Sequence, residues 1–156
     1  MSLYVEFDRI VRALTAADIK FAVVGGLAVG LHGFIRATED IDLLVAESDL
    51  SKAAQFLLST GYIQNAESIT FPESGLRMQR FYRRPPQATE LLVVDLLCPV
   101  SDAMRSYLER AATQPYADTT IRVVQADDLI RMKKLRGSKT DAADIEFLQK
   151  RHERSS

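Results

Sequence analysis

Two short apolar runs early in the chain each adjoin a pair of residues that an ordinary buried strand would not carry. Lys20 to Val24 (KFAVV) ends on Gly25-Gly26, and residues 40–46 (DIDLLVA) open on Asp40 and Asp42. Runs of this length and composition, bounded by turn residues, form buried strands. The segment after the glycine pair (LAVGLHGF) reads as a short helix. A strand that passes through two glycines into a helix exposes backbone N–H groups at the helix start. The missing side chains let an anion such as a phosphate come close. In a strand, residues i and i+2 face the same side, about 6.6–7 Å apart. Asp40 and Asp42 therefore share one face beside the glycine junction. Two carboxylates next to a phosphate cradle suit Mg²⁺, which takes oxygen ligands and is usually held by a few carboxylates plus substrate phosphates.

Asp95 is the third informative acid. It interrupts LLVVDLL, an otherwise unbroken apolar strand. A buried, unpaired carboxylate is costly. Sharing a metal with Asp40 and Asp42 removes that cost, and so does a salt bridge to an arginine. In the first case Asp95 is also placed to take a proton from an attacking hydroxyl.

The remaining pattern supplies a scaffold. Leu3, Phe7, Ile10, Val11 and Leu14 recur at helical spacing over residues 3–17. Ser48 is a candidate cap for a helix reaching about residue 60, where Gly61 stops it. Residues 64–77 read as a loop. Residues 78–84 and 89–97 flank Pro85-Pro86 as two strands joined by a turn. A helix over 101–112, a strand over 119–124, and helices over 126–136 and 140–151 follow. The expected fold is α/β, or α+β: a mixed sheet of about five strands flanked by helices, with a helical pair at its C-terminal end. One domain spans residues 1–151, and 152–156 form a disordered tail.

Bulk properties narrow the setting. The 156 residues are 47% apolar and 26% charged, enough apolar residues for a core and against disorder. With a net charge of −1 there is no global basic field to attract nucleic acid, so any such contact must be local. Cys98 is the single cysteine, which excludes an internal disulfide and favours a reducing, cytoplasmic location. The first residues, MSLYVEFDRIVRAL, lack the continuous apolar block of a signal peptide or membrane span, so no membrane association is expected.

The string VVGGLAVGLHGFIRATEDIDLLV (23–45) resembles the signature of the nucleotidyltransferase superfamily, whose fold is that of the polymerase beta catalytic domain. Its Arg-x-Thr-x-Asp-Ile-Asp ending resembles the abortive-infection-type nucleotidyltransferase toxins of type IV toxin–antitoxin systems and small proteins related to them. Aminoglycoside and lincosamide nucleotidyltransferases carry a similar plan. The later segment LIRMKKLRGSKTDAADIEFL resembles the helical region of the toxin group, with Lys133, Asp141 and Asp144 on its pattern. This chain departs in being much shorter than those toxins, and in having Gly-Gly where many members have Gly-Ser. The resemblance implies an enzyme that transfers a nucleoside monophosphate from a nucleoside triphosphate to an acceptor hydroxyl or phosphate. RNA or tRNA and an antitoxin-like protein partner are the expectations the toxin likeness adds. Asp40, Asp42 and Asp95 would be the catalytic, Mg²⁺-binding residues. Gly25, Gly26, Arg36, Thr38 and Lys133 would contact nucleotide or phosphate.

Plainer readings stand beside these. Arg36 suits a phosphate or an acidic neighbour equally, and Thr38 suits the turn before the strand. His32 suits packing or capping. Lys133 could be an ordinary helix lysine, and Asp141 and Asp144 cap or salt-bridge residues. Arg77, Arg80, Arg83 and Arg84, with Phe81 and Tyr82 between them, form a basic strand that could hold triphosphate or RNA, or a solvated hairpin. The rival to an enzyme is a non-catalytic nucleotide-binding or partner-binding module of the same fold.

Overall fold

The computed structural model describes residues 2–34, 37–64, 68–86, 90–136 and 139–155. The first apolar run becomes β1 (Phe21–Val24), with all four residues buried. It lies at the heart of a seven-stranded sheet because both its faces are apolar. In chain order the elements are α1 (Leu3–Ala16), β1, α2 (Gly25–Leu31), β2 (Asp40–Val45), α3 (Leu50–Ser59), β3 (Ile69–Phe71), β4 (Leu76–Arg83), β5 (Leu92–Pro99), α4 (Asp102–Glu109), β6 (Ala112–Tyr116), β7 (Thr119–Val123), α5 (Ala126–Arg136) and α6 (Lys139–Ser155).

The sheet order is β3-β4-β5-β2-β1-β7-β6. It is mixed: β2 pairs parallel with β5, and β1 parallel with β7, while the other pairs are antiparallel. Helix α1 buries the stripe Phe7, Ile10, Val11 and Leu14, and Ser2 caps it by accepting from the Val5 N–H. Helix α2 packs on β1 and β2 and meets α5.

Two strands exceed the expected five. β3 lies in the stretch read as a loop, where three exposed residues pair with β4 across a turn containing Gly75 at φ +74°. Its three residues are all largely exposed, so no buried face imposes an apolar alternation. β6 (ATQPY) is polar and carries Pro115, a poor strand signal; it is one of the sheet's two outer strands, where a missing N–H is tolerated.

Ser48 does not cap α3. A short 3₁₀ turn (Glu47–Asp49) precedes that helix, and Asp49 Oδ2 accepts from the Lys20 N–H at 2.8 Å, fastening the turn to the entrance of β1. Helix α4 ends at Glu109, short of the expected 112. Helix α6 runs through Ser155, past the expected end at 151.

Candidate functional site

Strand register decides which acids meet. Asp40 and Asp42 project from one face of β2, two residues apart. The parallel pairing of β2 with β5 sets Asp42 directly beside Asp95, and Asp40 beside Val93. On the other side of β5, the antiparallel pairing with β4 sets Arg80 opposite Asp95. A row Asp42–Asp95–Arg80 thus crosses three neighbouring strands on one face. It opens into a cavity of about 660 Å³ that Asp40, Asp42, Asp95, Arg80, Gly25 and Lys133 help to line. The wall is apolar: Leu76, Met78 and Leu97 come from the sheet, and Leu129, Met132 and Leu135 from α5. Charge is thereby gathered at the floor of a mostly apolar chamber, the usual design of a small-molecule site.

Asp95 is 3% exposed, and its cost of burial is met by Arg80. The guanidinium donates from Nε to Oδ1 at 2.8 Å and from Nη2 to Oδ2 at 2.9 Å, a bidentate fork. Its Nη2 also lies 4.0 Å from Asp40 Oδ2. The arginine partner left open for Asp95 in the sequence is therefore Arg80. The acids here, Asp40, Asp42 and Asp95, offer only carboxylate oxygens, the ligand chemistry a hard divalent cation needs. Among the described residues, however, no group of three His, Cys, Asp or Glu side chains forms a ready-made metal cage. Both oxygens of Asp95 are instead engaged by Arg80.

Gly25 has φ +70°, a conformation other residues rarely adopt. A Cβ built there would stand 2.1 Å from Asp42 Oδ2. The space that the missing side chain leaves is thus filled by the Asp42 carboxylate, which is pressed against the β1–α2 junction. Gly26 does not line the main cavity. It faces, with Thr38, a separate pocket of about 230 Å³ between α1 and α2. Arg36 lies outside the described residues.

Lys133 of α5 reaches the cavity from within the core and is 4% exposed. Its Nζ lies 3.0 Å from Asp144 Oδ2 and 3.5 Å from Asp141 Oδ1, both buried on α6. The salt-bridge reading of those two aspartates holds, and it makes Lys133 a clamped group rather than an exposed helix lysine. His32 ends α2, and its Nε2–H donates to the Val124 carbonyl at 3.0 Å. Burial, with the charge of Arg151, holds the imidazole pKa below its ordinary value despite that bond.

The arginine-rich strand is neither a solvated hairpin nor an open basic track at Arg80 and Arg83. Arg80 serves Asp95, and Arg83 Nη1 lies 3.4 Å from Glu6 Oε1. Glu6, fully buried on α1, also accepts from Arg9 and from Tyr62 Oη at 2.8 Å. Burial pushes the Glu6 carboxyl up, but the bonds from Arg9 and Tyr62 and the nearby charges hold it below the usual carboxylate value. The sequence marks Arg80 only as one of four arginines on a basic strand and does not join it to Asp95. Its position near mid-strand was visible, but its partner depended on the β4–β5 register.

The sequence profile of a family described as uncharacterised nucleotidyltransferase matches residues 1–141. No curated protein matches the chain in sequence. Among solved structures, the fold is shared with an antigenic nucleotidyltransferase-like protein from Paracoccidioides brasiliensis (18% identity over 94% of this chain and 74% of that one, TM-score 0.57). It is also shared with a lincosamide antibiotic adenylyltransferase bound to lincomycin (16% identity, 92% and 94% covered, TM-score 0.63). A third is ANT(2″)-Ia in complex with adenylyl-2″-tobramycin (13% identity, 97% and 98% covered, TM-score 0.54). At these identities the likeness is one of fold.

Proposed function

The chain belongs to this nucleotidyltransferase family, and from that premise we propose that it transfers a nucleoside monophosphate to an acceptor hydroxyl, using the acidic row and Lys133 of the main cavity. One observation carries the reading: carboxylates from two adjacent strands and a buried lysine from α5 line the same chamber. An acceptor oxygen attacks the α-phosphorus of the triphosphate, the bond to the bridging oxygen breaks, and pyrophosphate leaves. Asp95 takes the acceptor proton on an oxygen released from Arg80. Lys133, held by Asp144 and Asp141, offers its charge to the phosphates. Asp40, Asp42 and Asp95 would hold Mg²⁺, which would neutralise charge building on the transferred and leaving groups. The apolar wall suits a nucleobase or the body of a small acceptor better than a polyanionic strand. The small antibiotics in two of the related structures make a small-molecule hydroxyl the first acceptor to try. An RNA acceptor and an antitoxin-like partner rest on the motif resemblance. The internal ion pairs of Arg80 and Arg83 weaken the case for RNA on β4.

The test is release of pyrophosphate, and labelling of acceptor, from each of the four nucleoside triphosphates with Mg²⁺. Small aminoalcohols, lincosamides, tRNA and the protein itself would serve as acceptors. Asp42→Ala should remove the signal, by at least about a hundredfold for a group acting on charge in the transition state. A panel with no Asp42-dependent turnover sinks the enzyme reading. The rival, a nucleotide-binding module without turnover, is favoured by the complete engagement of Asp95 with Arg80. Mg²⁺-dependent triphosphate binding without pyrophosphate release would establish it.

A further inference from the structure

Asp95 and Arg80 differ in how freely they can move. The Asp95 side chain is 5% exposed and fixed in the central part of the sheet, whereas the Arg80 side chain is 40% exposed at the cavity. Both carboxylate oxygens of Asp95 accept from the same guanidinium. Nη2 leans toward the next acid in the site, Asp40, at 4.0 Å. A doubly charged cation on Asp95 would stand beside that guanidinium in a partly water-excluded chamber, where like charges repel strongly. The two cannot fully occupy one carboxylate together.

We propose that Arg80 is a built-in counter-ion that competes with the divalent cation for Asp95, so that metal binding exchanges the guanidinium out of the acidic row. The inference rests on the proposed cation site. In the metal-free protein Arg80 keeps a buried carboxylate paired, which preserves the fold around β5. On exchange, the flexible arm carries its charge into the cavity, which Glu73 also lines and where a triphosphate would receive it. The arginine therefore sets the metal affinity of the free protein, and it biases cation binding toward the moment when nucleotide phosphates are present to receive it.

The experiment is Mn²⁺ binding without nucleotide, by calorimetry and by loss of the free-ion paramagnetic resonance signal, on full-length wild type, Arg80→Gln and Asp42→Ala. Arg80→Gln should bind Mn²⁺ about tenfold more tightly than wild type, the equivalent of about 1.4 kcal/mol. Its melting temperature should fall without metal and recover with Mn²⁺ by more than that of wild type. Equal Mn²⁺ affinity in wild type and Arg80→Gln, with binding lost in Asp42→Ala, overturns the role of Arg80 and leaves the cation site standing. Absence of Mn²⁺ binding in wild type and Arg80→Gln alike overturns both. Should Arg80→Gln not fold, wild type supplies the readout. The Arg80 Nε–H resonance, assigned with Arg80→Lys, should shift progressively as Mg²⁺ is added. A resonance that stays fixed while Mg²⁺ saturates the protein rejects the exchange.

Discussion

Gly25→Ala meets two obstacles at one atom, an unfavourable φ of +70° and the Asp42 carboxylate 2.1 Å from the new Cβ. Backbone atoms of β1 and α2 cannot retreat, so Asp42 must turn away. The expected loss is about 1–3 kcal/mol in urea unfolding, together with weakened Mn²⁺ binding. Unchanged metal binding in a folded Gly25→Ala protein would show that Asp42 does not need its present rotamer. Two further residues should mark the pH dependence of stability. His32 has a lowered pKa, so the unfolded chain takes up its proton more readily, and its contribution is full above 6.5 and drains away as pH falls below that value. Glu6 is also lowered, and its contribution is full above 4.5 and lost as pH falls through the folded value. Denaturant midpoints should therefore decline in two stages on acidification. His32→Asn should flatten the upper stage, and Glu6→Gln the lower one.

At the scale of elements, α5 and α6 are joined by charge as well as by packing. Lys133 stands against two buried aspartates across the helix pair. Removing the lysine leaves both carboxylates without its charge, whereas removing Asp141 leaves Lys133 its shorter partner. Lys133→Met should cost about 3–5 kcal/mol, as breaking a buried ion pair does, and Asp141→Asn distinctly less. Chemical denaturation of the two variants checks the order, and a reversed order would mean that Asp141 is the anchor. These pairings give Lys133 a structural role and fix the orientation of its ammonium. Lys133 was legible in the sequence as a matched position but not as a buried one. The charged stretch ADDLIRMKKLR masks the fact that this lysine faces inward.

For the molecule as a whole, stability should grade outward from the central strands. β1, β2 and β5 are flanked on both sides and mostly buried, while β3 is an exposed outer strand of three residues and β6 closes the other margin. Amide exchange should be slowest in β1, β2 and β5 and fastest in β3 and β6. Rapid exchange in β5 of the metal-free protein would contradict the view that Arg80 keeps its buried carboxylate satisfied. No helix among the described residues is long and apolar enough to cross a membrane.

The sequence by itself determined what depends on neighbours along the chain. The buried runs, the amphipathic stripe of α1, the glycine junction, and Asp40 and Asp42 on one face all follow from backbone periodicity. The two outer strands carry weak local signals, β3 because it is only three exposed residues and β6 because it is polar and contains Pro115. Only the tertiary structure decided that Asp95 stands beside Asp42, that Arg80 reaches Asp95 from the other side, and that Lys133 enters the same chamber. Each of these depends on a register between distant segments. A shift of one residue would turn every side chain of a strand to the opposite face, and the packing that fixes register belongs to the whole core.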